Sequence, residues 1–269
     1  RLKENCYKIS LMYDGSKFFG FQIQGKDPSI QLYLEESLSV FFAKPVSVRG
    51  ASRTDSGVHA YAQVASFHID REFEQDKWLS GLNALLPKEI CITSIKKVQD
   101  DFHPIRDAKA KLYRYTMWRG RCFNPFIFPY LWSVPGNIDL DIMRSCLGFF
   151  IGSKDFSSFC NSDTQVVNKV RLLHEIKMVQ RGDCIDLWFY GEGFLKQMIR
   201  IIVGTLVDVS LGKINKAEIE TIIARKSREV AGRTAPAKGL VLMEVFYEEC
   251  PENINDFIQT MKNKYFFKF

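Results

Sequence analysis

The stretch GASRTDSGVHA, residues 50 to 60, sets a carboxylate, Asp55, two residues after a cation, Arg53, and just ahead of a glycine and a histidine. Three chemistries use such a group. The tripeptide Asp55-Ser56-Gly57 occurs in aspartic proteases, but those need a hydrophobic run before the Asp and a second Asp that shares its proton. Here Arg53 and Thr54 precede it, and an adjacent cation holds an Asp ionised rather than proton-sharing. A plain turn needs only an Asp that accepts from nearby backbone N–H groups and a Gly, which accounts for a minority of the stretch. The third use is a single nucleophilic carboxylate. Metal chemistry finds no support: His59, His68, His103 and His174 form no His-x-x-x-His pair. The seven cysteines are scattered and odd in number, matching neither a disulfide framework nor a zinc ribbon, and read as reduced thiols.

The elements that must position Asp55 follow from periodicity. YKISLMY (7–13) reads as a strand ending at the Asp14-Gly15 turn signal. Ser29 is a candidate N-cap for a helix with Ile30, Leu34, Leu38 and Phe41 on one face. VSVRGAS and AQVASFHID predict strands on either side of the motif. FEQDKWLSGLNALL predicts a helix stopped by Pro87, and ICITSIKKV a strand. The order is βαββαβ, and the second half repeats it. KLYRYTMW is a strand and DLDIMRSCLGFFIG a helix; LHEIKMVQ and CIDLWFY form a hairpin around Arg181-Gly182-Asp183. FLKQMIRIIVGTLVDVSL is a helix whose polar face carries Lys196, Gln197, Arg200, Gly204 and Asp208. Asn215 and Glu218 make a capping-box start for one more helix, and LVLMEVFY closes as a strand. The expectation is an α+β fold of two tandem split-βαβ (ferredoxin-like) halves, forming a mixed, largely antiparallel sheet with helices packed on it and a central active-site cleft. The halves span residues 1–104 and 105–250, either as two sheets or merged into one. Residues 251–269 form a tail with one helix and an aromatic-basic end.

Composition sets the outer limits. A chain of 269 residues, 46% apolar with 22 Phe, buries a substantial core, and no apolar run approaches a membrane span. RLKENCYKIS has no apolar h-region followed by a small-residue cleavage site, so a cytoplasmic protein is expected. Lys and Arg exceed Asp and Glu by 37 to 31, and the resulting +6 mildly favours a polyanionic partner.

Five blocks in order then carry a resemblance: YDGSKFFGFQIQ (13–24), GASRTDSGVHA, DFHPIRDAKAKLYRY (101–115), FLKQMIRIIVGTLVDV (194–209) and TAPAKGLVLMEV (234–245). Together they resemble a tRNA pseudouridine synthase of the TruA type, over about residues 7 to 247. The resemblance implies an isomerase that needs no cofactor or metal, acts on uridines in the anticodon arm of tRNA, and works as a homodimer. It implies that Asp55 is the nucleophile, on the base or on the sugar carbon. Arg200 matches the arginine of the family's Met-Val-Arg block and would pair with Asp55. Arg53 would help take the place of the flipped nucleotide, and Tyr113 would stack on the target uracil and move the C5 proton. The RNA contacts it implies are Phe102, His103, Pro104, Ile105 and Arg106, with Ser162, Asp163, Thr164, Gln165 and Val166. Lys17, Lys109, Lys111, Arg114 and Lys196 are further candidates for phosphate contacts.

The chain departs from the family pattern at three places. Phe21 stands where Trp is common, Gln197 replaces a His, and CNSDTQVVNKV lacks a Cys-Gln followed by basic residues, which thins the charge of an RNA-contacting loop. A tRNA-binding, chaperone-like protein with secondary or lost catalysis is the rival expectation. An Asp inside a basic motif argues against it, because a carboxylate repels RNA.

Overall fold

The computed structural model of the protein describes residues 4–122 and 125–264. β1 (Asn5–Tyr13) turns Tyr7, Ile9, Leu11 and Tyr13 into the core by strict alternation. α1 (Ile30–Phe42) starts where Ser29 Oγ accepts from the Leu32 N–H at 3.3 Å. β2 (Arg49–Gly50) is shorter than VSVRGAS suggests, because the chain leaves the sheet at Ala51 to enter the Asp55 loop. β3 (His59–Ile69), α2 (Gln75–Leu85) and β4 (Ile90–Lys97) follow. The later elements are β5 (Ala110–Trp118), β6 (Trp132–Ser133), α3 (Leu140–Cys146), β7 (Gly152–Asp155), β8 (Val170–Arg181), β9 (Cys184–Gly191), α4 (Met198–Ser210), α5 (Ile219–Arg225), β10 (Leu240–Phe246) and α6 (Asn255–Lys264).

The strands form one mixed sheet in the order β4-β1-β3-β10-β5-β9-β8-β7, with β2 added to β3 and β6 to β5. Among the described residues only the β3–β10 and β5–β6 pairs are parallel, and the rest are antiparallel. The same pattern occurs twice: the last strand of each set, β4 or β10, lies beside the first, β1 or β5, which lies beside the hairpin strand β3 or β9. The sheet is continuous because β10 pairs with both β5 and β3, the latter only through Val241 with His59 and Leu242 with Ala60. The Asp55 loop ends at His59, so it sits on this seam.

Alternation sorts the sheet's two faces. Tyr113, Tyr115 and Met117 of β5 join the main core, to which helices α1 to α5 all contribute buried side chains, whereas Ala110 and Leu112 face the other way. There they pack with Trp188, Tyr190, Met243 and, from the tail, Ile254 and Ile258. The tail helix therefore covers the second face, and the burial of each isoleucine stabilises by about 1.5–3 kcal/mol. The aromatic-basic end at 265–269 lies outside the described residues.

α4 differs from its expected form. It begins at Met198, not Phe194, because Gln197 takes a left-handed conformation at φ 61° and the residues before it form a turn. Its polar side is also covered: the 228–236 segment lies on it so closely that a Cβ on Gly204 would stand 1.8 Å from the Arg233 carbonyl oxygen. Asp208 there pairs with Arg233 at 2.6 Å. Among the described residues no helix is long and apolar enough to cross a membrane, and no group of three or more His, Cys, Asp or Glu could hold a metal ion. The seven cysteines are free.

Candidate active site

The loop between β2 and β3 is held by alternation across residues 52 to 54: Ser52 and Thr54 point inward and are buried, and Arg53 between them is exposed. The anchor beneath is Gln63. It lies opposite Leu11 in the β1–β3 register, on the same face as Ala65 and Phe67, and is fully buried; a bulge just beyond it gives β3 one extra residue before Ala60 pairs with Tyr13. Its amide donates to the Ser52 carbonyl at 2.8 Å and to Tyr13 Oη at 3.2 Å, and its oxygen accepts from the Ser52 N–H at 3.2 Å. Tyr13 Oη in turn lies 2.7 Å from Thr54 Oγ1. The motif's flanks are thus fixed by a buried network that is internally satisfied.

Beyond Thr54 the chain turns, with the Val58 N–H donating to the Asp55 carbonyl at 3.1 Å and Gly57 at φ 76°. The segment after β1 packs against this turn at two close approaches. A Cβ on Gly15 would lie 2.0 Å from the Val58 carbonyl oxygen, and one on Gly20 2.6 Å from that of Thr54. Asp14 Oδ1 lies 3.1 Å from His59 Nδ1, which accepts from the Gly15 N–H at 3.1 Å, and Asp14 Oδ2 accepts from Tyr130 Oη at 2.9 Å. The His59, Ser16 and Tyr130 contacts together hold the Asp14 carboxyl far below the usual carboxylate range, with His59 the largest cause.

Asp55 meets Arg200 across the seam. Arg200 Nη1 donates to Asp55 Oδ2 at 2.9 Å, and both side chains are largely buried. Arg200 Nε donates to the Ala235 carbonyl at 2.8 Å, while the Ala235 N–H donates to the Arg200 carbonyl at 3.0 Å. The guanidinium is therefore fixed in orientation from two sides, as a planar fork allows. Asp55 Oδ1 carries no hydrogen bond among the described residues.

Tyr113 joins through Ser52, its hydroxyl 2.6 Å from Ser52 Oγ. Its ring meets Phe194 edge-on with centroids 5.1 Å apart. Burial pushes the phenol well above its ordinary value, partly offset by the Ser52 hydrogen bond. Tyr115, on the same face, donates to the Pro236 carbonyl at 2.8 Å.

The residues expected at the site fall into three groups. Asp55, Arg200 and Tyr113 converge, and Arg53 projects outward beside them with no ion pair among the described residues. Ser162 to Val166 lie on an exposed loop tied to the turn before α4: Asp163 pairs with Lys196 at 2.8 Å, and the Asn161 N–H donates to the Lys196 carbonyl at 3.1 Å. Phe102 to Arg106 are instead fastened to the ends of β1 and β10. Lys8 Nζ lies 5.7 Å from the Phe102 ring and 5.1 Å from Tyr247, whose hydroxyl donates to the buried Pro104's carbonyl. His103 Nδ1 accepts from the Ile105 and Arg106 N–H groups, and Arg106 pairs with Asp107. Among the described residues none of these five bonds to Asp55, Tyr113 or Arg200.

The suggested phosphate cations mostly have other partners: Lys17 pairs with Glu89, Lys196 with Asp163, and Lys109 donates to the Glu248 carbonyl. Arg114 is buried beside the Trp188 ring, because an even-numbered position on β5 faces the tail helix. Sequence reading missed Gln63, Ser52, Tyr13 and Thr54 as supports. The one available signal was a Gln in the otherwise apolar register of β3. Phe21, in place of Trp, is fully packed against Gly50, where a Cβ would stand 2.2 Å from the ring.

A family model described as tRNA pseudouridine synthase matches residues 9–105 and 149–248, the two segments that carry Asp55 and Arg200. The chain is 40% identical over 243 residues to tRNA pseudouridine synthase A of Bacillus licheniformis, covering 90% of this chain and 98% of that relative. It is 42% identical over 247 residues to the protein of that name from Solidesulfovibrio magneticus, covering 89% and 90%. With a family model matched on both sides of the seam and relatives at about 40% identity over nine-tenths of its length, the chain belongs to the tRNA pseudouridine synthase family.

Proposed function

We propose that the chain isomerises uridine to pseudouridine in the anticodon stem-loop of tRNA, with Asp55 as the nucleophile. The observation that carries this is the Asp55–Arg200 pair at 2.9 Å, with one carboxylate oxygen unbonded and Tyr113 alongside. The reaction breaks the bond from the sugar to N1, turns the base, joins the sugar to C5, and moves one proton from C5 to N1. No group is added and no electron is transferred, so one placed nucleophile with an oriented partner is enough. The uracil leaves the stack to reach Asp55, and stacking on Tyr113 offsets part of a cost of a few kcal/mol. Arg53, exposed between two anchored residues, is placed to enter the gap that the base leaves.

Halves at 1–104 and 105–250 with a tail at 251–269, a cytoplasmic location and a two-fold dimer sharing one tRNA complete the proposal; sizing the free protein in solution tests the dimer. Activity is tested with unmodified tRNA tritiated at uracil C5. The wild type releases tritium, and Asp55→Ala binds the same tRNA but releases none. If Asp55→Ala releases tritium at a comparable rate, the carboxylate is not the nucleophile. If the wild type binds and releases none, the protein is a tRNA binder.

A further inference from the structure

Two cations between Tyr113 and the 161–169 loop are left unexplained by the reaction centre. Lys111 lies two residues before Tyr113 on β5, hence on the same face, and is half-buried. One of its three N–H groups donates to the Ala51 carbonyl at 2.7 Å, one residue before the serine that holds Tyr113. Arg171, near the start of β8, donates to the Asn168 and Val170 carbonyls at 2.9 and 2.6 Å. The sheet register brings the two together: Lys111 pairs with Gly191 of β9, and Gly191 with Leu173 of β8, two positions along from Arg171 on the same face. The Arg171 stem runs 3.7 Å from where a Cβ of Gly193 would be, beside Phe194.

Several buried or half-buried cations elsewhere have a carboxylate: Arg200 has Asp55, Arg181 has Asp186, and Lys44 has Asp70. Arg228 and Lys238 have carbonyl, hydroxyl or ring partners instead, whereas Lys111 and Arg171 stand side by side as two cations. Lys111 and Arg171 have carbonyl oxygens alone among the described residues. Burial, and then the charge of Arg171, pull the Lys111 ammonium down to about 8, and burial lowers Arg171 as well. Two like charges are thus held in a partly dry place with no anion of the protein's own to offset them, an arrangement that an incoming anion relieves.

We propose that Lys111 and Arg171 form a phosphodiester-binding pair that grips the RNA backbone between Tyr113 and the 161–169 loop. This rests on the pseudouridine synthase reading and deepens it. The pair stands where a strand leaving the reaction centre would pass on its way to the loop. It also supplies basic groups from the strands, where the loop itself, with Val166 and Val167 exposed, has few.

The test measures binding of an unmodified tRNA transcript across a series of salt concentrations for the wild type, Lys111→Met, Lys111→Arg and Arg171→Gln, with tritium release on the same preparations. Removing one cation that neutralises a phosphate lowers the slope of log K against log salt by about 0.7–0.9. Lys111→Met and Arg171→Gln are therefore each expected to reduce the slope by roughly that much, to weaken binding about 5–10-fold at low salt, and to show their deficit in KM more than in kcat. Lys111→Arg is expected to keep the slope. A purely structural role would lower the melting temperature without moving the slope, so unchanged slopes in both charge-removing variants alongside an active wild type overturn the proposal. If Lys111→Met fails to fold, Arg171→Gln decides alone. A wild type that binds but releases no tritium refutes the catalytic reading, while reduced slopes in the variants still support the pair.

Discussion

The nucleophilic role proposed for Asp55 calls for a fixed orientation, and Arg200 holds the carboxylate with one N–H group while another is tied to the Ala235 carbonyl. Arg200→Lys keeps the charge but cannot make both bonds. We expect kcat to fall about 10²-fold, the size of loss that small misplacements of a reacting group produce, with tRNA affinity nearly retained. Single-turnover tritium release against a binding isotherm separates the two. Lys111 makes a prediction about pH. Its folded-state value of about 8 lies below the ordinary lysine value of 10.5, so between these limits the unfolded chain binds the proton that the native chain has shed. Stability gained from this group therefore rises with pH across that window. Urea titrations from about pH 8 to 10 are expected to show the wild type gaining on Lys111→Met by on the order of 1 kcal/mol. An unchanged difference would mean that Lys111 is not depressed. At this scale the sequence was legible where chemistry is concentrated in a few residues. The sequence singled out Asp55, Arg200 and Tyr113, which the fold brings together, but not Gln63, since an amide's value lies in the backbone groups it reaches, and those of Ser52 lie across a loop whose path periodicity does not give.

Elements carry the site through close backbone approaches. On α4, Gly204 admits the 228–236 segment that delivers Ala235 to Arg200. Gly204→Ala must displace that backbone, which overpacking data put at about 1–3 kcal/mol or more, and activity should fall with stability because Ala235 moves. Gly57→Ala is milder. Its positive φ adds about 1–2 kcal/mol of strain, and its Cβ would touch only the Ala237 side chain at 3.3 Å. Denaturant midpoints rank the two, and the reverse order would contradict the packing described. The strands and α1 were readable from alternation and the Ser29 cap. The start of α4 was not, because apolar periodicity continues through Phe194 and Leu195 although Gln197 breaks the helix with a positive φ. Nor did periodicity show that the helix's polar side is covered, because that cover comes from a segment some 30 residues downstream through Asp208–Arg233.

Over the whole molecule, one sheet with two covered faces replaces the open choice between one sheet and two. The tail, whose place periodicity could not give, proves to close the second face over Trp188. A chain ending at residue 250 should lose Ile254 and Ile258 from that cluster. With about 1.5–3 kcal/mol for each, a melting temperature lower by on the order of 10 °C and a red shift in tryptophan emission are expected. An unchanged melt would make the helix dispensable to the fold.

The seam has a consequence in time. Asp55 is translated early, whereas Arg200, Ala235 and the seam strand β10 come 145 or more residues later. Chains emerge and fold from the N-terminus, so the first half leaves the ribosome with its carboxylate exposed and no counter-ion to orient it. Insertion of β10 between β3 and β5 brings both sides of the reaction centre together in one step. On the proposed mechanism, each newly made molecule therefore stays catalytically silent until β10 has been synthesised and inserted.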